Sequence, residues 1–262
     1  KPGNIKDIIF FFEKLKPQMF TIIGAGSNTL IRDGGIKGVT IKLGSAFSYT
    51  SLETENIIDI GGATPDKKVA DFAMENSLTG LEFLACIPGT IGGAVRMNTG
   101  CYGDDISKIL HSIKVINIQG QIKEIAAADI HFSYRGANLE ENLLVTSVKL
   151  IGKRSLKNKI EEKQKIMVQK KKNSQPGQTK TCGSTFKNPK NRKAWELIKE
   201  SGCENLKVGN AKVSEKHCNF LVNNGDATSK ELEELINKVR DTVYQKTKIN
   251  LELEIKIIGY NR

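Results

Sequence analysis

The chain has 262 residues, of which 39% are hydrophobic and 26% charged, proportions of a globular protein long enough for one large domain or two to three small ones. Its formal net charge is +11, from 40 Lys and Arg against 29 Asp and Glu. No apolar run approaches the roughly 18–20 residues of a membrane span, and five cysteines without a CxxC pair speak against a disulfide framework or a zinc site.

The charge is uneven. Residues 151–180 carry ten basic side chains and two acidic ones, a net charge of +8. Lys-rich patches bind phosphate backbones through counterion release, so a basic phosphate- or nucleic-acid-binding module is one class to weigh. Lys outnumbers Arg 33 to 7, whereas base readout and aromatic stacking favour Arg. A solvated, lysine-rich helix face is the better expectation. His111 and His131 stand alone among apolar neighbours, as structural histidines do, and no HExxH or paired-His spacing suggests a metal. No signal peptide precedes the first strand-like run, although the chain starts without Met, and the free cysteines fit a reducing compartment.

In chain order, Ile5, Ile8, Ile9 and Phe12 have helical spacing. Short β-rich runs follow at 20–24, 38–43 and 57–60, punctuated by glycine clusters. Thr64 before Pro65 reads as an N-cap with Pro at the first helical position, leading to Val69, Ala73 and Met74. Segments 112–118, 121–126 and 143–150 read as strands, the first two joined by a tight turn at Gln119-Gly120. The basic stretch 153–172 lacks Gly and Pro and reads as a helix ended by Gln175-Pro176-Gly177. A second unit contains a helix over 229–246, with Leu232, Leu235, Ile236, Val239 and Val243 as its apolar stripe and Thr228 with Glu231 as a capping box. The last strand alternates, Leu251, Leu253, Ile255 and Ile257 against Glu252, Glu254 and Lys256.

Two glycine-rich segments are candidates for phosphate chemistry. Gly24-Ala25-Gly26-Ser27-Asn28 follows a strand directly, and such a turn exposes N–H groups that form an anion nest. Thr29 stands where a dinucleotide GxGxxG fingerprint needs its third glycine, so this is no Rossmann motif. From Gly80 to Gly103, apolar residues interleave with glycines, and Pro88-Gly89-Thr90 opens a short helix whose N–H groups are expected to face an anion. Two such loops suit the two ends of a long, phosphate-bearing cofactor.

These segments, with Tyr134-Arg135, Gly183 to Pro189, Lys216 to Phe220 with Asn223, and Leu251 to Glu254, make the sequence resemble the UDP-N-acetylenolpyruvoylglucosamine reductases, flavoenzymes that complete UDP-N-acetylmuramic acid for bacterial peptidoglycan. The resemblance implies an α+β chain. It has the FAD-binding fold of the vanillyl-alcohol oxidase type, in two α+β subdomains, plus a C-terminal α+β substrate-binding domain. The expected boundaries are 1–152 for the FAD region (about 1–44 and 45–152), 153–249 for the substrate domain with its basic connecting helix, and 250–262 for a strand returning to the active site. Only 48 residues separate Arg135 from Ser184, which fits the shorter family type without an extra substrate loop.

The same resemblance implies FAD as cofactor, NADPH as co-substrate and a UDP-sugar enolpyruvyl ether as substrate, in the bacterial cytoplasm, with no nucleic acid, membrane or metal involved. FAD contacts are expected at Gly24, Ala25, Gly26, Ser27 and Asn28, and at Pro88, Gly89, Thr90, Ile91, Gly92, Ala94, Asn98 and Gly100. Ser184 corresponds to the proton donor, Arg135 to the stabiliser of charge developing on the substrate, and Glu254 to the acid assisting the same intermediate. Alternation alone does not choose between Glu252 and Glu254. Tyr134, Lys187, Asn188, Lys216, His217 and Asn219 are the expected substrate contacts. Another flavin oxidase of the same fold would share the glycine loops but not Ser184, Arg135 and Glu254.

Three departures stand out. The N-terminal strand and Gly-Gly turn that usually precede the first helix are absent from this sequence. A Lys-rich run stands where an Arg is expected before Gln175-Pro176, and Cys101 and Cys182 replace small residues. The two cysteines would lie near flavin or the catalytic serine, where thiol reagents are expected to inhibit.

Overall fold

The computed structural model describes residues 1–15, 19–177 and 179–261. They form two compact units, one of residues 1–25 and 38–170, the other of residues 26–37 and 171–262. The chain thus crosses between units three times: inside the first glycine loop, at Ala25–Gly26, back at Lys37–Gly38, and within the basic helix, at Lys170–Lys171, later than the 152/153 boundary read from sequence.

The first unit opens with helix α1 (Ile5–Phe10), capped by Asn4 and Asp7 and continued by a π-helical turn over Phe11–Leu15. Ile8 and Phe12 are its buried residues. Strands Phe20–Ile22 and Val39–Ile41 pair in parallel. The main sheet is antiparallel, in the order Ile122–Ala126, Leu110–Ile116, Leu144–Ile151, Ile57–Gly61, Thr50–Leu52. Its central strand, Leu144–Ile151, is buried along most of its length, as an interior strand of mainly apolar sequence should be. The 110–126 hairpin forms as expected, but with a wider turn: the Asn117 and Gly120 N–H groups donate to the carbonyls of Gln121 and Asn117.

Helix α2 (Asp66–Glu75) packs Val69, Ala70 and Ala73 into the same core as Ile58, Ile60 and Val148. Its start differs from the sequence expectation. The Thr64 hydroxyl donates to the Tyr49 carbonyl at 2.9 Å instead of capping, so Pro65 is the N-cap residue and Asp66 the first helical one. Helix α3 (Ile91–Arg96) follows the second glycine segment.

Helix α4 (Lys157–Ser174) is the basic helix, and it buries only Ile160 and Gln164. It starts later than expected because Lys153–Arg154 pairs with Leu78–Thr79 as a short antiparallel ladder. His111 and His131 are exposed and not part of the core.

The second unit has a four-stranded antiparallel sheet, ordered Lys180–Ser184, Phe220–Asn223, Ala211–Val213, Lys207–Val208. Helices α5 (Ala194–Glu200) and α6 (Ser229–Thr247) supply Leu197, Ile198, Leu235, Ile236, Val239 and Val243 to one core with Ala211 and Val213. The Thr228–Glu231 capping box forms as the sequence predicts. Arg32 holds Glu233 through two hydrogen bonds of 2.8 and 2.7 Å, and Asp33 accepts from the Ser229 N–H and hydroxyl at 2.8 Å each. The C-terminal strand is shorter than its alternation suggests. Lys256–Ile258 pairs in parallel with Thr29–Ile31, and residues 251–255 form no regular strand, with a single bridge, Leu253 to Phe186, and a bend at Ile255.

The junction of α2 with the main sheet is tight. A Cβ on Gly62 would lie 2.3 Å from the Val145 carbonyl oxygen, and backbone on the central strand has little room to yield. Gly62→Ala is expected to destabilise the protein by about 2 kcal/mol or more. A melting temperature equal to wild type would show that the junction can relax.

Candidate active site

In the first unit the two glycine segments meet. A Cβ on Gly24 would approach the Thr90 hydroxyl oxygen to 3.0 Å and the Gly93 Cα to 4.0 Å. Thr90 is the N-cap residue of α3, yet its hydroxyl caps nothing. Glycine backbone held close to a hydroxyl that caps nothing is a cradle that fits a phosphate. Part of the expected N–H display is spent elsewhere: Ile91 and Gly92 donate to the Thr64 and Gly62 carbonyls at 3.0 Å each. Gly100 has a backbone reason of its own, since its Cβ would lie 2.2 Å from the Asp104 carbonyl oxygen across a small hairpin.

Arg135 lies at the tip of a second small hairpin, Phe132–Ser133 against Gly136–Ala137, with Tyr134 beside it. Its φ is +62°, a left-handed conformation that costs a non-glycine residue on the order of 1 kcal/mol. The Arg135 guanidinium lies over the Tyr134 ring, 5.1 Å from its centroid. The hairpin is held from behind by buried Asn98, whose side chain donates to the Ser133 carbonyl at 3.0 Å and accepts from the Ser107 N–H at 3.0 Å. Asn98 therefore supports the arginine turn, a task its place among the cofactor candidates did not suggest.

In the second unit, Gly183 (φ +84°) and a register shift between Thr181 and Ser184 bend the strand that ends at Ser184. Bulges re-aim side chains in this way. Ser184 is half-buried. Segment 252–256 lies alongside: Lys187 N–H donates to the Glu252 carbonyl at 2.8 Å, and Glu254 N–H to the Thr185 carbonyl at 2.9 Å. The Asn28 side chain donates to the Glu254 carbonyl at 2.9 Å, and Ser27 O is 3.8 Å from where a Gly183 Cβ would be. The end of the first glycine loop, the serine strand and Glu254 are thus brought together within one unit. Glu252 is exposed and paired with Lys187 at 3.4 Å, whereas Glu254 is half-buried.

The remaining candidates divide. Asn188 accepts from the Ala194 N–H, and Lys216 Nζ donates to the Lys172 carbonyl. Asn219 is buried and spends its side chain on both main-chain groups of Phe186, at 2.9 and 2.8 Å, so it braces the strand after Ser184. His217 lies between Trp195 and Phe220, with ring centroids 6.4 and 4.9 Å away. Burial pushes its pKa down, and its own backbone only partly offsets this. Among the described residues no group of His, Cys, Asp and Glu could hold a metal ion, and no helix is long and apolar enough to cross a membrane.

Residues 2–126 match the FAD binding domain family, and residues 175–258 match the C-terminal domain of UDP-N-acetylenolpyruvoylglucosamine reductase. The UDP-N-acetylenolpyruvoylglucosamine reductase of Wolbachia pipientis wMel is 42% identical over 260 residues, covering 99% of this chain and 88% of the relative. The chain belongs to this reductase family. The Pelagibacter ubique reductase is 44% identical, with 98% of this chain and 87% of the relative covered. The reductase structure from Thermus caldophilus superimposes with a TM-score of 0.86 at 30% identity, over 97% of this chain and 89% of that one. The fold is accordingly the α+β flavoprotein architecture that the sequence predicts, and FAD is the cofactor.

Cys182 is less reactive than the expected inhibition by thiol reagents would require. The Cys182 thiol donates to the Thr29 carbonyl at 3.2 Å, and burial pushes its pKa up. A thiol of this kind is a poor nucleophile at neutral pH. In the native enzyme at about pH 8, iodoacetamide should modify Cys182 at least about tenfold more slowly than in the unfolded chain. Mass spectrometry of a time course measures this, and equal rates would show that the thiol is exposed.

Proposed function

We propose that the enzyme reduces UDP-N-acetylenolpyruvoylglucosamine to UDP-N-acetylmuramate with NADPH, in the bacterial cytoplasm, as a step toward peptidoglycan precursors. Bound FAD supplies the capacity to accept hydride from NADPH and return it to the methylene carbon of the enolpyruvyl group. The chain's own residues must then manage the charge and the proton. Hydride addition leaves negative charge on the adjacent carbon and its carboxylate. Arg135, with its planar guanidinium on a left-handed turn, is the group assigned to stabilise it. Ser184 donates its hydroxyl proton to that carbon, completing the addition of one hydride and one proton across the double bond. Glu254 assists as an acid on the same intermediate.

The observation that carries this reading is the convergence of Ser27–Asn28, Gly183–Ser184 and Glu254 within the second unit. It links a cofactor loop, through the Asn28 side chain and carbonyl, to the segment of Glu254 and so to the strand of the proposed proton donor. Lys187, Asn188, Lys216 and His217 are the proposed substrate contacts, with Tyr134 beside Arg135. The cradle of Gly24 and Thr90 is the proposed seat of FAD's phosphates.

Ser184→Ala should leave bleaching of the flavin by NADPH intact while slowing substrate reduction by about 10²- to 10⁴-fold. Stopped-flow measurement of the two half-reactions separates them. Equal loss in both would remove Ser184 from the role of proton donor.

A further inference from the structure

Asp66 is a buried ionisable residue for which the proposed mechanism has no use. It is fully buried, and neither carboxyl oxygen has a hydrogen-bond partner. Its surroundings are the second glycine segment. The Asp66 N–H donates to the Gly89 carbonyl at 3.2 Å, Pro65 bridges to Thr90, and the Ile91 N–H donates to the Thr64 carbonyl. Residues 64–66 and 89–91 are therefore laced together along their main chains. The Asp66 carboxyl lies in the space a side chain at 89 would need, with Oδ2 2.6 Å from an ideal Gly89 Cβ. One residue further on is the Thr90 hydroxyl that borders the cradle.

The neighbouring charges are occupied elsewhere. On α2, Lys67 pairs with Asp71, which also accepts from Gln164, and Lys68 is exposed. On the adjoining turn, Glu82 is held by Thr79, Gly80 and Lys163, and Cys86 is buried. On α3, Arg96 donates to the Glu140 and Leu143 carbonyls. With no partner to offset it, burial holds the Asp66 carboxyl well above the usual carboxylate range.

We propose that Asp66 is a positioning residue for the cofactor: as a neutral acid it supports the Pro88–Gly89–Thr90 turn, and on losing its proton it loosens that turn's hold on the phosphates of FAD. This rests on the reading that the turn belongs to the FAD cradle. The sign follows from two effects. Ionised Asp66 would be an uncompensated buried charge, and it would sit behind a loop that faces an anionic diphosphate. FAD binding is thus favoured by the protonated form and weakens as pH rises through the Asp66 titration. By reciprocity, bound FAD holds the proton more firmly.

The test is release of flavin from the diluted holoenzyme, followed by free-flavin fluorescence from about pH 6 to pH 10. A single linked proton weakens FAD affinity by up to about tenfold per pH unit across its titration. Asp66→Asn, permanently uncharged, should flatten this dependence while keeping tight binding at low pH. Gly89→Ala should weaken FAD binding at least tenfold, and Asp66→Ala in the same chain should recover much of the loss by removing the opposing oxygen. Parallel pH slopes for wild type and Asp66→Asn, with Gly89→Ala still defective, would overturn the role of Asp66 alone. Wild-type flavin affinity in Gly89→Ala would overturn the cradle reading and the proposal with it.

Discussion

Main-chain pairing of the C-terminal segment holds the second unit's site together. Residues 252–256 bond to Thr185, Lys187 and Asn28, and the Asn28–Glu254 contact spans 226 residues of sequence. Closing such a loop costs entropy, but the cost grows only logarithmically with length. The return is exact placement, since side chains alternate with period two and a slip of one residue would put Leu253 or Ile255 where Glu254 stands. The parallel pairing of Lys256–Ile258 with Thr29–Ile31 adds a second register constraint. A single segment therefore places a glycine-loop asparagine, the strand after Ser184 and a carboxylate with respect to one another.

The parts of this arrangement that are local in sequence were legible there. The capping box at Thr228 and the apolar stripe of α6 depend on residues three and four apart, and both form. The hairpin of 110–126 depends on neighbouring strands, and it forms with only its turn misjudged. What could not be read depends on distant partners. The Thr64 hydroxyl is drawn to Tyr49 rather than to its own helix, and Lys153–Arg154 to Leu78–Thr79 rather than into α4. The stretch 251–255 pairs mostly with a loop-like segment, so its clean alternation overstated the regular strand.

The candidate site shows the same division. Motif residues carried by the family pattern were visible, but the division of labour among them was not. Asn98 and Asn219 sit inside recognisable motifs, yet each is consumed by backbone groups, at Ser133 and Ser107 for one and at Phe186 for the other. A buried amide with its donor and acceptor both engaged is a brace. Asp66 was missed altogether, because an acid in the first turn of a helix is an ordinary start signal. Only its burial without partners distinguishes it.

The basic helix α4 has a part in this logic as well. Glu82 is also desolvated by burial, but hydrogen bonds from Thr79, its own backbone, Lys163 and Gly80 outweigh burial and hold its carboxyl below the usual range. One of those donors is a lysine of α4, at 3.1 Å. The lysine-rich surface therefore does structural work in the first unit: Lys163 answers a buried charge, and Lys170 lies over the Tyr102 ring at 5.4 Å. Tyr102, Ile166 and Met167 line a groove of about 380 Å³ with these lysines. Lys157, Lys159 and Lys172 are among the exposed basic side chains of this stretch, and exposed charge raises the local concentration of anions over a distance set by the ionic strength. Both substrates of the proposed reaction are polyanions. The net +8 of residues 151–180 thus needs no nucleic-acid partner to account for it, because one fraction is committed to packing and the remainder suits ligands that carry phosphates and a carboxylate.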